Sequence, residues 1–141
     1  ESIKEPLSKY NALKLVFPDN SDYPKAIIKG LYKFCQEYAF EHILVDNLRR
    51  EGIKRGTCYI NLAEDDLVYL LDKVRAKGLE VGQDVGVISY NETPLKKFIL
   101  NGITTVSTDF RLMGEYAAAC ILHDLKSHLE VPFYTVLRAS V

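Results

Sequence analysis

Within four residues, Tyr90-Asn91-Glu92-Thr93 offers an aromatic ring, a side-chain amide, a carboxylate and a hydroxyl, directly after the apolar run Val85-Gly86-Val87-Ile88. Such groups donate and accept hydrogen bonds. Beside an aromatic face they suit a sugar, whose hydroxyls need both donors and acceptors and whose C–H patch needs a ring to lie on. Three more stretches place similar chemistry after apolar runs: Pro18-Asp19-Asn20-Ser21, Asp46-Asn47 and Ala63-Glu64-Asp65. Asp19, Asp46, Glu64, Asp65, Tyr90 and Asn91 are therefore the candidate ligand-binding residues. Polar loops and acidic helix starts account for any one cluster taken alone. Asn91, following a buried strand at once, is least explained that way.

Bond-breaking chemistry has no comparable signature. The glycines are scattered, so no phosphate-cradling loop forms, and there is no GxSxG elbow. Asp65-Asp66 could hold Mg²⁺, but a solvated helix N-terminus explains the pair. A phosphoacceptor receiver domain would want an acidic pair after the first strand and a late Lys-Pro. The chain has only Asp19 at the first place, and Lys96 and Lys97 follow Pro94. Cys35, Cys58 and Cys120 are odd in number and far apart, which suits packed free thiols and not a metal site. His42, His123 and His128 form no HExxH pair. The expectation is a non-enzymatic binding module without metal or cofactor. An α/β enzyme working at the same rim and a ligand-free dimerisation module are the competing readings.

The elements that must position these groups follow from periodicity. Ala12–Phe17 reads as a strand ended by Pro18. Asp22 and Pro24 mark a helix start, with Ile27, Leu31, Phe34 and Tyr38 at helical spacing. Ile43-Leu44-Val45 is a short second strand, and the segment with Arg49, Arg50 and Lys54 has room for a short helix. Thr57–Leu62 is a third strand. A helix follows, with Glu64, Asp65 and Asp66 in its first turn, Leu67, Leu70, Leu71 and Val74 inward, and Gly78 as its stop. Val85–Ser89 is a continuous apolar run, as in a parallel strand covered on both sides. Ile103–Val106 and Phe133–Leu137 read as later strands. Between them a helix from about Thr108 to Leu125 shows Phe110, Met113, Ala117 and Ile121 on one face.

Alternation of strands and helices predicts an α/β, three-layer, mostly parallel sheet with helices on both faces. Ligands bind such sheets beyond the C-terminal strand ends, so all four polar clusters should share one rim. The 141 residues suit one compact unit, and 48% apolar residues suffice for a core. A net charge of −1 gives no bulk attraction to nucleic acid. No apolar run reaches the roughly 18–20 residues of a membrane span, and the opening Glu1-Ser2-Ile3-Lys4-Glu5 is unlike a secretion leader. A cytoplasmic location is expected.

Read as a series, Tyr90-Asn91-Glu92, Thr93-Pro94-Leu95, Ile103-Thr104-Thr105-Val106 and Met113-Gly114 closely resemble the effector domain of LacI/GalR-type repressors. Gly78–Val85 fits that family's helix-to-strand turn and Val136–Ser140 its closing strand. The likeness runs from Leu13 to Val141, tighter after Cys58, and is similar above all to effector domains fused to GntR-type winged helices. It implies one C-terminal lobe of a periplasmic-binding-protein-like fold. Residues 1–106 would form the lobe, 107–130 would cross to a second lobe, and 131–141 would return as its closing strand. It further implies a carbohydrate effector held between two lobes, DNA contact only through a domain outside this chain, and a homodimer. The family's sugar-bonding acid falls on Asn91, which lacks the charge. Its Asn-Asp pair falls at Ala63-Glu64 or Asp65. Its ligand-binding Arg falls near Ile27, with Lys25 the nearest cation. The helix over 108–125 is expected to pack back on this lobe or onto a second copy, with segment exchange as one route.

Overall fold

The computed structural model describes residues 3–19, 21–124, 126 and 128–141. Six strands form one sheet: β1 (Ala12–Val16), β2 (Glu41–Val45), β3 (Thr57–Asn61), β4 (Val85–Tyr90), β5 (Thr104–Thr108) and β6 (Phe133–Val136). Their order is β2-β1-β3-β4-β5-β6. All neighbours run parallel except β5 and β6, which are antiparallel. The helices are α1 (Lys4–Leu7), α2 (Ala26–Tyr38), α3 (Glu64–Ala76) and α4 (Phe110–Leu122), with 3₁₀ turns at Pro94–Lys97 and Ile99–Asn101.

Alternation along each strand divides the core in two. Val16, Tyr59, Val85 and Val87 point to the face where Leu67, Leu70 and Val74 of α3 pack. Leu13, Leu15, Cys58 and Ile88 point to the other face, against Leu31 and Cys35 of α2 and Leu7 of α1. This is the three-layer, mostly parallel α/β arrangement that strand–helix alternation predicts. Covering on both sides explains why β1 is buried at all five positions. One of those positions is Lys14, whose ammonium meets Glu51 at 2.7 Å. α3 obeys the dipole rule, with Glu64, Asp65 and Asp66 in its first turn and Lys73 and Arg75 in its last. Gly78 takes φ +64° just past it, as a helix stop requires.

Three expectations need correction. The 46–56 segment forms turns, not a helix, and buries Leu48 and Ile53 beneath it. α2 begins at Ala26, two residues beyond Pro24, after a turn in which Ile27 N–H donates to Pro24 O (3.0 Å). α4 does not pack back on this lobe: none of its residues is buried. Phe110, Met113 and Ile121 are exposed, and the half-buried positions are Leu112, Tyr116, Ala119 and Cys120. Asp109 caps α4 through Leu112 N–H (2.9 Å), and the helix leaves from the rim, while the outer edge of β5 is taken by β6. Leu125, the expected helix end, lies outside the described residues.

Candidate functional site

One rung crosses the whole sheet at its C-terminal edge: Val45, Val16, Asn61, Ser89, Thr105 and Val136 are successive partners. The candidate residues follow this rung, so the sheet does bring the clusters to one rim. It does not bring them all together. Asp46 leaves the edge strand β2, three strand positions from β4, or about 14 Å at the usual spacing. Its carboxylate is also occupied locally, accepting from Asn47 N–H (2.9 Å) and Asn47 Nδ2 (2.8 Å). Asp19 is exposed beyond β1, beside the end of β3. Asn20 lies outside the described residues. Asp65 is exposed in the first turn of α3. Next to it burial pushes the Asp66 carboxyl up, with Asp65 adding to the rise and Arg49 opposing it.

Glu64, Tyr90 and Asn91 form the compact part. β4 ends at Tyr90, and Asn91 turns into the left-handed region at φ +63°. The Asn91 N–H donates to Val106 O (2.8 Å), which fixes the turn against β5. Among the described residues the Asn91 side-chain amide has no hydrogen-bond partner, and it is only half-buried. Lys96 joins this turn to α3: its Nζ donates to Tyr90 O (3.0 Å) and Asn91 O (2.7 Å) and lies 3.4 Å from Glu64 Oε1.

Because Ile88 faces the α2 side, Tyr90 does too. There it meets Tyr23 edge-on, with centroids 6.2 Å apart at 88°, and Phe133 of β6 at 5.9 Å. Phe17 extends the row at 6.4 Å from Tyr23. Tyr23 is anchored by donating its hydroxyl to Leu62 O (3.0 Å). Burial and the Tyr23 hydroxyl push the Tyr90 phenol up, so it stays a neutral donor. The rim thus carries an aromatic floor on one side and amide and carboxylate groups on the other.

Beneath it lies a second polar group that sequence reasoning missed. Arg138 binds Glu92 through both Nη atoms, at 2.9 and 2.7 Å, and the Thr105 hydroxyl donates to the same carboxylate. Arg138 holds the Glu92 carboxyl below its ordinary range; burial opposes this, and the Thr105 hydroxyl adds to the lowering. Glu92 is therefore a structural anion. Asn61 and Ser89 are sealed, at 0% and 1% exposure, and among the described residues their side chains are unpaired. The signal for Asn61 and Ser89 was available, since period-2 alternation puts both on the α3 face. Nothing local marked Tyr23, Phe133, Lys96 or Arg138, which reach the rim from elsewhere in the chain.

A cleft of about 660 Å³ lies at the opposite end of the sheet, lined by Leu71, Val74, Arg75, Leu79, Val81 and Ile99. A smaller hollow of about 290 Å³ reaches the rim on the α2 side, lined by residues including Leu62, Ile88, Tyr90 and Val106. Among the described residues no group of three or more His, Cys, Asp or Glu side chains is placed to hold a metal ion. No helix among them is long and apolar enough to cross a membrane.

A family model described as a periplasmic binding protein-like domain matches residues 19–141. Solved structures share the fold over 99% of the chain. A dimeric Lac repressor with an 11-residue C-terminal deletion superposes with a TM-score of 0.79 at 20% identity, and the chain covers 58% of it. The Lac repressor bound to ONPG gives 0.76 at 18%, with 48% of its length covered. A LacI family transcriptional regulator from Mycobacterium smegmatis gives 0.74 at 16%, with 61% covered. The chain thus spans roughly half to three-fifths of the structures it resembles. A search of curated protein sequences finds no match.

Proposed function

Because the chain belongs to the periplasmic binding protein-like domain family, we propose that it is one lobe of the effector-sensing domain of a LacI/GalR-type transcription regulator, acting in the cytoplasm without catalysis. Its ligand is a small carbohydrate. Residues 1–106 and 131–141 supply one jaw, and 107–130 belong to the crossing toward a second lobe. The signal passes to a DNA-binding domain outside these residues, of the GntR winged-helix kind. Ligand shifts the population between open and closed lobes, which alters DNA affinity only through its differential affinity for the two.

The observation that supports a sugar best is the pairing of an unpartnered half-buried amide, Asn91, with the Tyr90–Tyr23 edge-on pair at the same strand end. Asn91, Tyr90, Glu64, Asp65 and Asp19 are the residues proposed to meet the ligand. Asp46 is the weakest of the six, because its carboxylate is held by Asn47. Calorimetric titration of the two-lobe protein with neutral mono- and disaccharides tests the reading. Saturable binding supports it, and a panel with no binder sinks it.

α4 points the same way. Its exposed Phe110, Met113 and Ile121 suit a helix whose apolar stripe is covered by another lobe. We also propose a homodimer, formed through Val68, Leu95, Phe98 and Leu100, which are 54–72% exposed on α3 and the two 3₁₀ turns. One of the Lac repressor structures above is dimeric. Sedimentation should show a dimer that Phe98→Glu dissociates; a monomeric wild-type protein contradicts this, and exchange of the α4 segment is the alternative route to a dimer.

A further inference from the structure

Lys96 is 2% exposed, an expensive place for an ammonium. Two of its contacts are the carbonyls of Tyr90 and Asn91, at 3.0 and 2.7 Å. Both belong to the turn that leaves β4. Asn91 is left-handed there, at φ +63°, a conformation asparagine tolerates better than most residues but that still lies outside the common regions. The amide side of the turn is held by β5, with Asn91 N–H on Val106 O (2.8 Å) and Glu92 N–H on Ser107 Oγ (2.9 Å). The carbonyl side rests on Lys96. The same Nζ lies 3.4 Å from Glu64, the first residue of α3. Lys96 is itself pinned at its backbone: its N–H donates to Thr93 O (3.1 Å), and its carbonyl accepts from Ile103 N–H (2.8 Å).

From this geometry we infer that Lys96 is a positioning residue of the rim. Its ammonium fixes the Asn91 turn and Glu64 in one frame, so that an amide and a carboxylate from two different strand ends meet the ligand at a set spacing. Lys96 does this from beneath, without touching the ligand. The inference rests on the ligand-rim reading above. An apolar side chain of similar length would fill the same space but leave two carbonyls unpaired, and the turn would relax.

Residue-resolved hydrogen exchange on the two-lobe protein tests the positioning half. Lys96→Met should speed exchange at Asn91 and Glu92 at least tenfold while β1 and β3 amides keep wild-type rates. Unchanged rates at Asn91 and Glu92, or an equal rise across the whole sheet, overturn it. Titration with the neutral sugar panel tests the other half. Lys96→Met should weaken sugar binding at least tenfold, and Lys96→Arg, which keeps charge and donors, should recover part of the loss; wild-type affinity in Lys96→Met overturns it. Should Lys96→Met not fold, Lys96→Arg carries the test, with roughly threefold faster exchange at Asn91 expected and wild-type exchange and affinity contradicting the inference. If no sugar binds the wild-type protein, the rim reading fails on its own, and the exchange result still decides whether Lys96 holds the turn.

Discussion

Arg138 grips Glu92 with both Nη atoms across 46 residues of chain. The contact ties the segment after β6 to the turn after β4. It therefore joins the last piece of the chain to the strand end that carries Tyr90 and Asn91. Both side chains are mostly shielded, at 16% and 20% exposure, so the pair is screened far less than a surface bridge.

Glu92 should make stability depend on acid. Its carboxyl is held below the ordinary 4.5, chiefly by Arg138. A depressed carboxyl contributes stability that is fully present above the unfolded value and is lost as pH falls through the folded one. Glu92→Gln should thus cost about 2 kcal/mol at pH 7. The gap from wild type should shrink once pH drops below 4.5. Urea melts from pH 7 to 3 check this; a gap that stays constant down to pH 3 contradicts it.

The thiols should sort by burial. Cys58 is fully sealed and Cys35 is 1% exposed, and burial pushes both thiols up, away from the reactive thiolate. Cys120 is half-exposed on α4. Native protein of this chain should give one reactive thiol to a disulfide reagent, and unfolded protein three. Two or more fast thiols in the native state would show that the sheet core opens readily.

The exposed stripe of α4 separates this lobe from the whole protein. Ile121 is 82% exposed, so in the isolated chain Ile121→Glu should shift stability by no more than about 0.5 kcal/mol. In the two-lobe protein the same change should cost about 2 kcal/mol, because an apolar side chain is then buried. Equal effects in both would mean that no second lobe covers this helix.

β1, β3, β4 and β5 and the helices α2 and α3 were legible because their apolar periods are set by burial on a sheet, whereas the edge strands β2 and β6 are largely exposed. β4 shows this best, as its run Val85–Ser89 is buried throughout. The rim was legible as a place, since strand ends of a parallel sheet align. Its membership was only half legible. Glu64, Tyr90 and Asn91 converge, whereas Asp46 is separated by strand order, and no local pattern reports strand order. Phe133 and Arg138 reach β4 through antiparallel pairing of β6 on β5, a long-range event invisible to a short window. Of the two packings expected for α4, on this lobe or on a second copy, the first does not form, for a related reason. An amphipathic stripe says that something covers a helix, but not what.

The most direct measurement is calorimetric titration of the two-lobe protein and its Asn91→Ala variant with the sugar panel. The wild-type protein should bind at least one sugar saturably, and Asn91→Ala should weaken that binding tenfold or more, or about 1.4 kcal/mol and above. The variant's melting temperature should stay within a few degrees of wild type. Absence of any binder, or a sugar held equally well by Asn91→Ala, would contradict the claim that this strand end forms half of a carbohydrate site.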